Sequence, residues 1–445
     1  MTLRAEIKAL ILLAIPLVVA RAGHNMLGLV DTAVAGRISP EAQAVVGLAN
    51  VMYFAGIIFP LGVLYGFDPL ISQAIGRRDD ARAKAGLTAA RWVALSLSLF
   101  TVALCWVAPW FLETIKQPAE LIPPIRTYLR WLSLGAPATV LFQAYAVYLT
   151  ARGDTRPFLV ITLIANIVNL CADLLLVRGG FGVPAMGVGG LAMSTAIVSW
   201  VQLFVVFWLM RRSGPRSATR APWFTIDFGV MKKALHTGLP VGLQYLLEMS
   251  AFNSVAVFMG YFGAITLAAH NVAMSIVAFS FVIAVGFGAA ASVRVGQAVG
   301  RGDVDGVQLA GRAAFAVGTS FAALASVCIY FGRYELSAIF TPTSDDLSMT
   351  VTLLAIGALF QFTDATQAIG FGVVRGLDDT RVPALLNLVG YYVIGLPIGL
   401  YMAFYRDGGP TWLWWGLSIG LFWVSLGLVV RFERHCRRMR LDEGT

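Results

Sequence analysis

The sequence predicts an all-α polytopic membrane protein, with twelve transmembrane helices in two parallel six-helix lobes related by pseudo-symmetry. Three observations predict it. Hydrophobic residues make up 58% of the chain and charged residues 13%, against roughly 45–50% and 25% in a soluble domain. The apolar residues fall in runs long enough to cross a bilayer, for which roughly 20 suffice. The chain also repeats itself at a shift of 224 positions. Pro240 falls on Pro16, Gly260 on Gly36 and Gly286 on Gly62, and Gln297-Ala298-x-Gly300-Arg301-x-Asp303 falls on Gln73-Ala74-x-Gly76-Arg77-x-Asp79.

The first span covers 8–35. Its start imitates a secretory leader, with Arg4, Lys8, an apolar run and Ala20-Arg21-Ala22 as a cleavage-like site. The same segment returns in register as the helix opening the second half, so it is read as a helix that stays. Spans follow at 42–75, 84–112, 124–150, 156–177 and 186–210, completing a first lobe at 1–210. Segment 211–233 reads as a cytoplasmic linker, basic and broken by Pro215 and Pro222, with Trp223 and Phe224 suited to an interface. The second lobe, 234–434, holds spans at 234–260, 264–299, 307–332, 348–375, 381–405 and 411–430, and a basic tail at 435–445 ends the chain. RGDTRP at 152–157 has its counterpart in RGLDDTRVP at 375–383. Gly and Pro are plentiful inside the spans, where membrane helices use them for close packing and bends. Six helices per repeat is an even number, so the halves run parallel about an axis along the membrane normal.

Lys and Arg decide orientation. Arg77, Arg78, Arg82 and Lys84, then Arg152 and Arg156, the linker, Arg301 and Arg312, Arg375 and Arg381, and the tail all fall on the side that holds Arg4 and Lys8. Both termini are therefore expected in the cytoplasm, in a multi-pass protein of the cell inner membrane. The net charge of +9 then expresses topology, and no nucleic-acid partner is expected. The basic tail reads as an anchor to anionic membrane lipids. Four scattered cysteines (Cys105, Cys171, Cys328, Cys436) show neither metal spacing nor a disulfide framework. There is no GxxxxGK[ST] phosphate loop, HExxH or GxSxG, and GVGG at 187–190 follows no strand. No ATP-driven motor, enzyme site or cofactor is expected.

Against this background a few acids stand out. Asp31, Asp173, Glu248 and Asp364 lie well inside spans, and Asp68 near the end of the second. A charge at such depth costs at least ~3 kcal/mol, which makes a functional role its default reading. At a rise of ~1.5 Å per residue, Glu248 and Asp364 each sit about 20 Å from their span's start, near the midplane. Asp31 and Asp173 lie further toward the outer side, so the acids form two depth-matched pairs, one per half. Polar neighbours share their faces: Asn166, Asn169 and Asp173 at i, i+3, i+7; Arg21, His24, Gly28 and Asp31 likewise; Gln361, Asp364 and Gln367; Gln244 and Glu248. Such carboxylates bind Na⁺ through oxygen, or hold a proton, and either makes their charge switchable. The structural readings are plainer: Asp31 paired with Arg21 or with a neighbouring helix as packing glue, Asp173 likewise, His24 as a satisfied interior histidine, and Asp68 as a helix-end contact. For Glu248 and Asp364 the functional reading prevails, because no Lys or Arg lies at similar depth in their half.

Several stretches together carry a family likeness: VDTAVAGR (30–37), GFDPLISQAIGR (66–77), ANIVNLCAD (165–173), GVGGLAMSTA (187–196), GLPVGLQYLLEMSAF (238–252), LAAHNVA (267–273), VGQAVGRGD (295–303), QFTDATQAIGFGVVRGLDDTRVP (361–383) and YYVIGLP (391–397). In this order, over nearly the full length, the chain resembles the multidrug and toxic compound extrusion (MATE) family, in its NorM-like branch. The resemblance implies two lobes around a V-shaped cavity, and a monomeric secondary exporter of lipophilic, mostly cationic compounds, exchanged for Na⁺ or H⁺ by alternating access. It implies a cation site at Glu248 and Asp364 in the second lobe. In the first lobe it implies another at Asp31, Gln143, Asn169, Asp173 and Thr195, with Asp31 titrating; Na⁺ is a possible ligand of either acid pair. Asp345 and Asp346 resemble acids implicated in drug contacts, and Phe279 or Phe281 matches an aromatic enclosing the cation. With Asp31, Gln244 and Gln361 they make up the candidate substrate contacts. The rival is a lipid-linked oligosaccharide or lipid flippase of the same superfamily, which calls for a cavity lined with Arg and Lys, where this sequence offers only Arg21 in depth.

Overall fold

The computed structural model describes residues 2–114, 118–180, 182–212, 225–340 and 344–443, with backbone only at 340, 344–346 and 443. Linker residues 213–224, including Pro215, Pro222, Trp223 and Phe224, lie outside them. Among the described residues there are twelve long helical segments: α1 (Leu3–Gly36), α2 (Pro40–Gly76), α3 (Asp80–Thr114), α4 (Ile122–Ala151), α5 (Pro157–Arg178), α6 (Val188–Arg212), α7 (Phe228–Tyr261), α8 (Ala264–Arg301), α9 (Val304–Phe331), α10 (Ser344–Gly376), α11 (Arg381–Tyr405) and α12 (Thr411–Glu443). Ten are long and apolar enough to cross a membrane. The other two, α1 and α7, are 34 residues each.

The repeat read from the sequence reappears in local geometry. α8 and α9 begin at Ala264 and Val304, each 224 residues after Pro40 and Asp80, where α2 and α3 begin. Pro16 and Pro240 both sit inside their long helices. The repeated motif ending in Asp79 and Asp303 owes its acids to capping. Asp79 Oδ1 accepts from Arg82 N at 2.9 Å and Asp303 Oδ1 from Gly306 N at 2.8 Å, satisfying orphan N–H groups at the start of α3 and α9. Its glycines serve contact. A Cβ on Gly76 would strike the Gln297 carbonyl, and a Cβ on Gly300 would strike the Gln73 carbonyl, so the ends of α2 and α8 cross backbone to backbone. The turns 152–157 and 375–383 also match: Asp154 N donates to Leu149 O (3.0 Å) and Asp379 N to Val374 O (3.3 Å).

The chain forms two compact units that are cut differently from the expected lobes, 1–210 and 234–434. One unit comprises Val19–Ile71 and Arg78–Gly242; the other comprises Leu243–Thr445 with Met1–Val18 and Ser72–Arg77. Packing explains the exchange. Leu10, Leu13 and Ala14 belong to the buried cluster built by α8, α9, α10 and α12, and Glu6, 3% exposed, receives a bidentate pair from Arg294 on α8 (2.7 and 2.6 Å). The basic tail is no separate segment either: α12 runs unbroken past residue 435 to Glu443, with Phe432 and Cys436 buried.

Two helices depart from regular winding. α2 breaks at Tyr65–Gly66 and resumes at Phe67, which places the buried Asp68 in the first turn after the break. α11 is π-wound over Val389–Gly395 and Tyr401–Tyr405, a winding found mostly where function demands it. It sends consecutive tyrosines to different neighbours: Tyr391 to Gln367 on α10, and Tyr392 to Leu247 O (3.0 Å) on α7.

Candidate functional site: two deep polar clusters

In the first unit, polar side chains from α1, α5 and α6 converge. Asn169 Nδ2 donates to Asp31 Oδ1 at 3.1 Å, and lies 3.5 Å from Asp173 Oδ1 and 3.4 Å from Ser194 Oγ. Thr195 Oγ1 donates to Asp31 Oδ2 at 2.9 Å. Both oxygens of Asp31 thus have donors, while the buried Asn169 Oδ1 and Asp173 Oδ2 have none among the described residues. A single amide nitrogen approaches both carboxylates, so Asp31 and Asp173 face each other across it. Arg21 hydrogen-bonds the Tyr65 hydroxyl, while the oxygens of Asp31 are met by amide and hydroxyl donors. His24 is accessible and makes no hydrogen bond among the described residues.

In the second unit the cluster is built from α7, α10 and α11. Gln367 Nε2 donates to Glu248 Oε1 (3.1 Å) and lies 3.2 Å from the Tyr391 hydroxyl. Asn387 Nδ2 donates to the Gln244 carbonyl (3.3 Å). Asp364 is 4% exposed, lies within electrostatic range of Glu248, and receives no hydrogen bond among the described residues. Three buried oxygens here lack a donor among those residues: Gln361 Oε1, Asp364 Oδ1 and Asn387 Oδ1. An aromatic wall holds the hydroxyl end of Tyr391 in place. Phe252 packs edge-on to Tyr391 at 5.9 Å, Phe360 lies 6.3 Å from Phe252, and Trp414 lies 6.0 Å from Phe360. Trp414 Nε1 in turn donates to His270 Nδ1 at 3.0 Å, which leaves the neutral ring's proton on Nε2.

The MatE family model matches residues 16–175 and 240–401. The chain belongs to the MatE family. The two matched stretches are the two halves of the internal repeat. A MatE relative, the "Probable multidrug resistance protein NorM" of Bradyrhizobium diazoefficiens, is 33% identical over 433 residues, covering 96% of this chain and 93% of the relative. The "Multidrug resistance protein PmpM" of Pseudomonas aeruginosa is 31% identical over 443 residues, covering 98% and 93%. The fold is that of "Crystal structure of eukaryotic MATE transporter AtDTX14" (TM-score 0.89, 19% identity, 99% of each chain). It is shared by "Outward-facing conformation of a multidrug resistance MATE family transporter of the MOP superfamily" (TM-score 0.89, 20% identity, 98% and 96% of the chains).

In this MatE chain, four of the five residues expected at the first-lobe cation site come together: Asp31, Asn169, Asp173 and Thr195. Gln143 stays half-buried on α4 and makes no hydrogen bond among the described residues. Ser194 joins the cluster unanticipated; its neighbour Thr195 drew attention, but a lone serine in an apolar helix gives no signal. In the second unit Glu248 meets Gln367, and Gln361 joins with an unmatched oxygen. Gln244 contributes its carbonyl. Phe281 packs against the cluster of Ala284, Ala322 and Ala365, next to Asp364, whereas Phe279 is 59% exposed. Asn387 and Tyr391 were missed, although an asparagine inside an apolar run is a readable signal. The side chains of Asp345 and Asp346 lie outside the described set.

Proposed function

We propose that this chain is a secondary multidrug exporter that expels lipophilic, mostly cationic compounds in exchange for Na⁺ or H⁺. The observation that carries the reading is the surplus of buried oxygen over donors around paired acids. Asn169 Oδ1 and Asp173 Oδ2 in one unit, and Gln361 Oε1, Asp364 Oδ1 and Asn387 Oδ1 in the other, are buried acceptors without a protein donor among the described residues. A buried acceptor left unmatched is costly, and a proton or a small hard cation relieves the cost. Among those residues no three His, Cys, Asp or Glu gather as metal ligands, so an ion held here meets two carboxylates with amide and hydroxyl oxygens. That donor set favours hard cations over transition metals. The drug-resistance names of the relatives support an organic substrate.

On this reading the ion, as cargo, neutralises Glu248 and Asp364, or Asp31 and Asp173, when the site faces outward, and the drug leaves. Loss of the ion to the cytoplasm restores negative charge, which favours a new lipophilic cation. The protein works as a monomer in the inner membrane with both termini cytoplasmic. The test uses proteoliposomes loaded with ethidium or norfloxacin, with a Na⁺ jump and a pH jump applied separately. Glu248→Gln and Asp364→Asn are each expected to lose ion-driven efflux by at least ~10-fold, on the scale of a lost coupling free energy, with the amount of membrane protein unchanged. Unaltered efflux in both variants would remove the assigned role.

A further inference from the structure

The end of α12 offers a surface that the export reading leaves unused. At ~100° per residue, Trp423, Leu426, Val430, Arg434, Arg437 and Arg438 fall within an arc of about 120° on one side of the helix. Trp423, Leu426 and Val430 are exposed (45%, 48% and 39%), which in a membrane-spanning helix marks the side turned to lipid. The arginines continue the same stripe and are exposed as well. The opposite side is occupied: Phe432 and Cys436 are buried and Met439 packs on the core.

Ion pairing sorts the charges at this end by direction. Arg431 and His435 bind Asp379 Oδ2 (2.6 and 2.8 Å), Glu433 receives both Arg312 nitrogens (3.0 and 2.9 Å), and Arg440 binds Asp305 (2.9 Å). These contacts fix the helix to α9 and to the turn before α11. Arg434 and Arg438 have no acidic partner among the described residues, and Arg437 lies near Glu433, whose charge already answers Arg312.

Depth completes the argument. α12 is 33 residues long, about 50 Å at 1.5 Å per residue, against a hydrocarbon layer of ~30 Å. Its charge-free run ends at Val430. Arg434 lies about 6 Å beyond that point and Arg437 and Arg438 about 11–12 Å, and each headgroup layer is roughly 5–8 Å thick. Arginine stems are long enough to reach back along the helix to that layer. We propose that Arg434, Arg437 and Arg438 form a site for anionic phospholipid headgroups, held at the phosphate layer by the ion pairs on the other side of the same helix.

The test is native mass spectrometry of the full-length protein in detergent with added phosphatidylglycerol or phosphatidylcholine. The wild type is expected to retain phosphatidylglycerol in preference, and increasingly less so as salt rises. Each basic side chain near an anionic surface contributes roughly a fivefold gain in affinity, so the triple variant R434Q/R437Q/R438Q should bind phosphatidylglycerol about a hundredfold more weakly. Its phosphatidylcholine binding should not change. The charge-preserving variant R434K/R437K/R438K should keep the preference, as should R440Q, which removes a paired arginine. Equal phosphatidylglycerol binding by the triple glutamine variant overturns the proposal. So does displacement of the lipid by millimolar inorganic phosphate, or loss of the preference in the lysine variant.

Discussion

The two polar clusters share two pairs of repeated helices, α1 with α7 and α5 with α11, yet draw their third helix from different places, α6 in one and α10 in the other, and are finished differently. Asp31 takes a donor on each oxygen, from Asn169 and Thr195, whereas Asp364 takes none among the described residues. The first cluster is a carboxylate with a hydrogen-bond donor on each oxygen. In the second, Glu248 accepts from Gln367, while Gln361, Asp364 and Asn387 each keep a buried oxygen without a donor among the described residues. Duplication supplied the scaffold, and divergence of a few side chains made one half rich in donors and the other rich in unmatched oxygen.

The sharpest way to break the contrast is to remove each carboxylate with a side chain of similar size. Asp31→Val removes the shortest acceptor of both Asn169 and Thr195, leaving them the longer contacts to Asp173, Ser194 and the Leu191 carbonyl, and should cost about 2–4 kcal/mol of stability. Asp364→Val strands no donor and deletes a buried carboxylate, so it should be neutral or stabilising by about 1–3 kcal/mol. Thermal unfolding of the purified protein in detergent measures both; equal losses would erase the distinction. Next in size, Thr195→Val leaves Asp31 Oδ2 without its donor and should cost about 1–3 kcal/mol. Tyr391→Phe, which leaves Gln367 one partner short, should cost nearer ~1 kcal/mol.

The smallest effect compares the two turns that repeat each other. Asp379 is bound by Arg431 and His435, while its counterpart Asp154 forms no ion pair among the described residues. Burial alone would push the Asp379 carboxyl up, but the hydrogen bonds from His435 and Arg431 outweigh it and hold the carboxyl below its ordinary range. A depressed folded-state value means the stabilisation is complete above the unfolded value, near 4, and is lost as pH falls through the folded one. Asp379→Asn should therefore lower stability by about 1–2 kcal/mol at neutral pH. The gap to wild type should close on acidification below about pH 4, and Asp154→Asn should show no gap at any pH.

Much of the architecture was legible because hydropathy and repetition belong to neighbouring residues. The apolar runs foretold helices that exist, and the 224-residue shift foretold matched starts, matched prolines and matched caps at Asp79 and Asp303. The site was legible in part. The depth of Asp31, Asp173, Glu248 and Asp364 singled them out, since an acid in a long apolar run is conspicuous whatever it touches. Ser194 and Tyr391 were not, because ordinary residue types become informative only when their partners are known; Asn387, a polar residue inside an apolar run, was readable but overlooked.

By itself, then, the chain determined its class, its helices, its internal duplication and the short roster of intramembrane acids. Tertiary structure alone decided which acids are satisfied, for the donors arrive from far away: Asn169 and Thr195 are 138 and 164 residues from Asp31, and Gln367 is 119 from Glu248. It also decided that residues 1–18 pack with the second half and that the basic tail is a docked helix. A hydrogen bond acts over about 3 Å, so its presence depends on how separate helices are laid together.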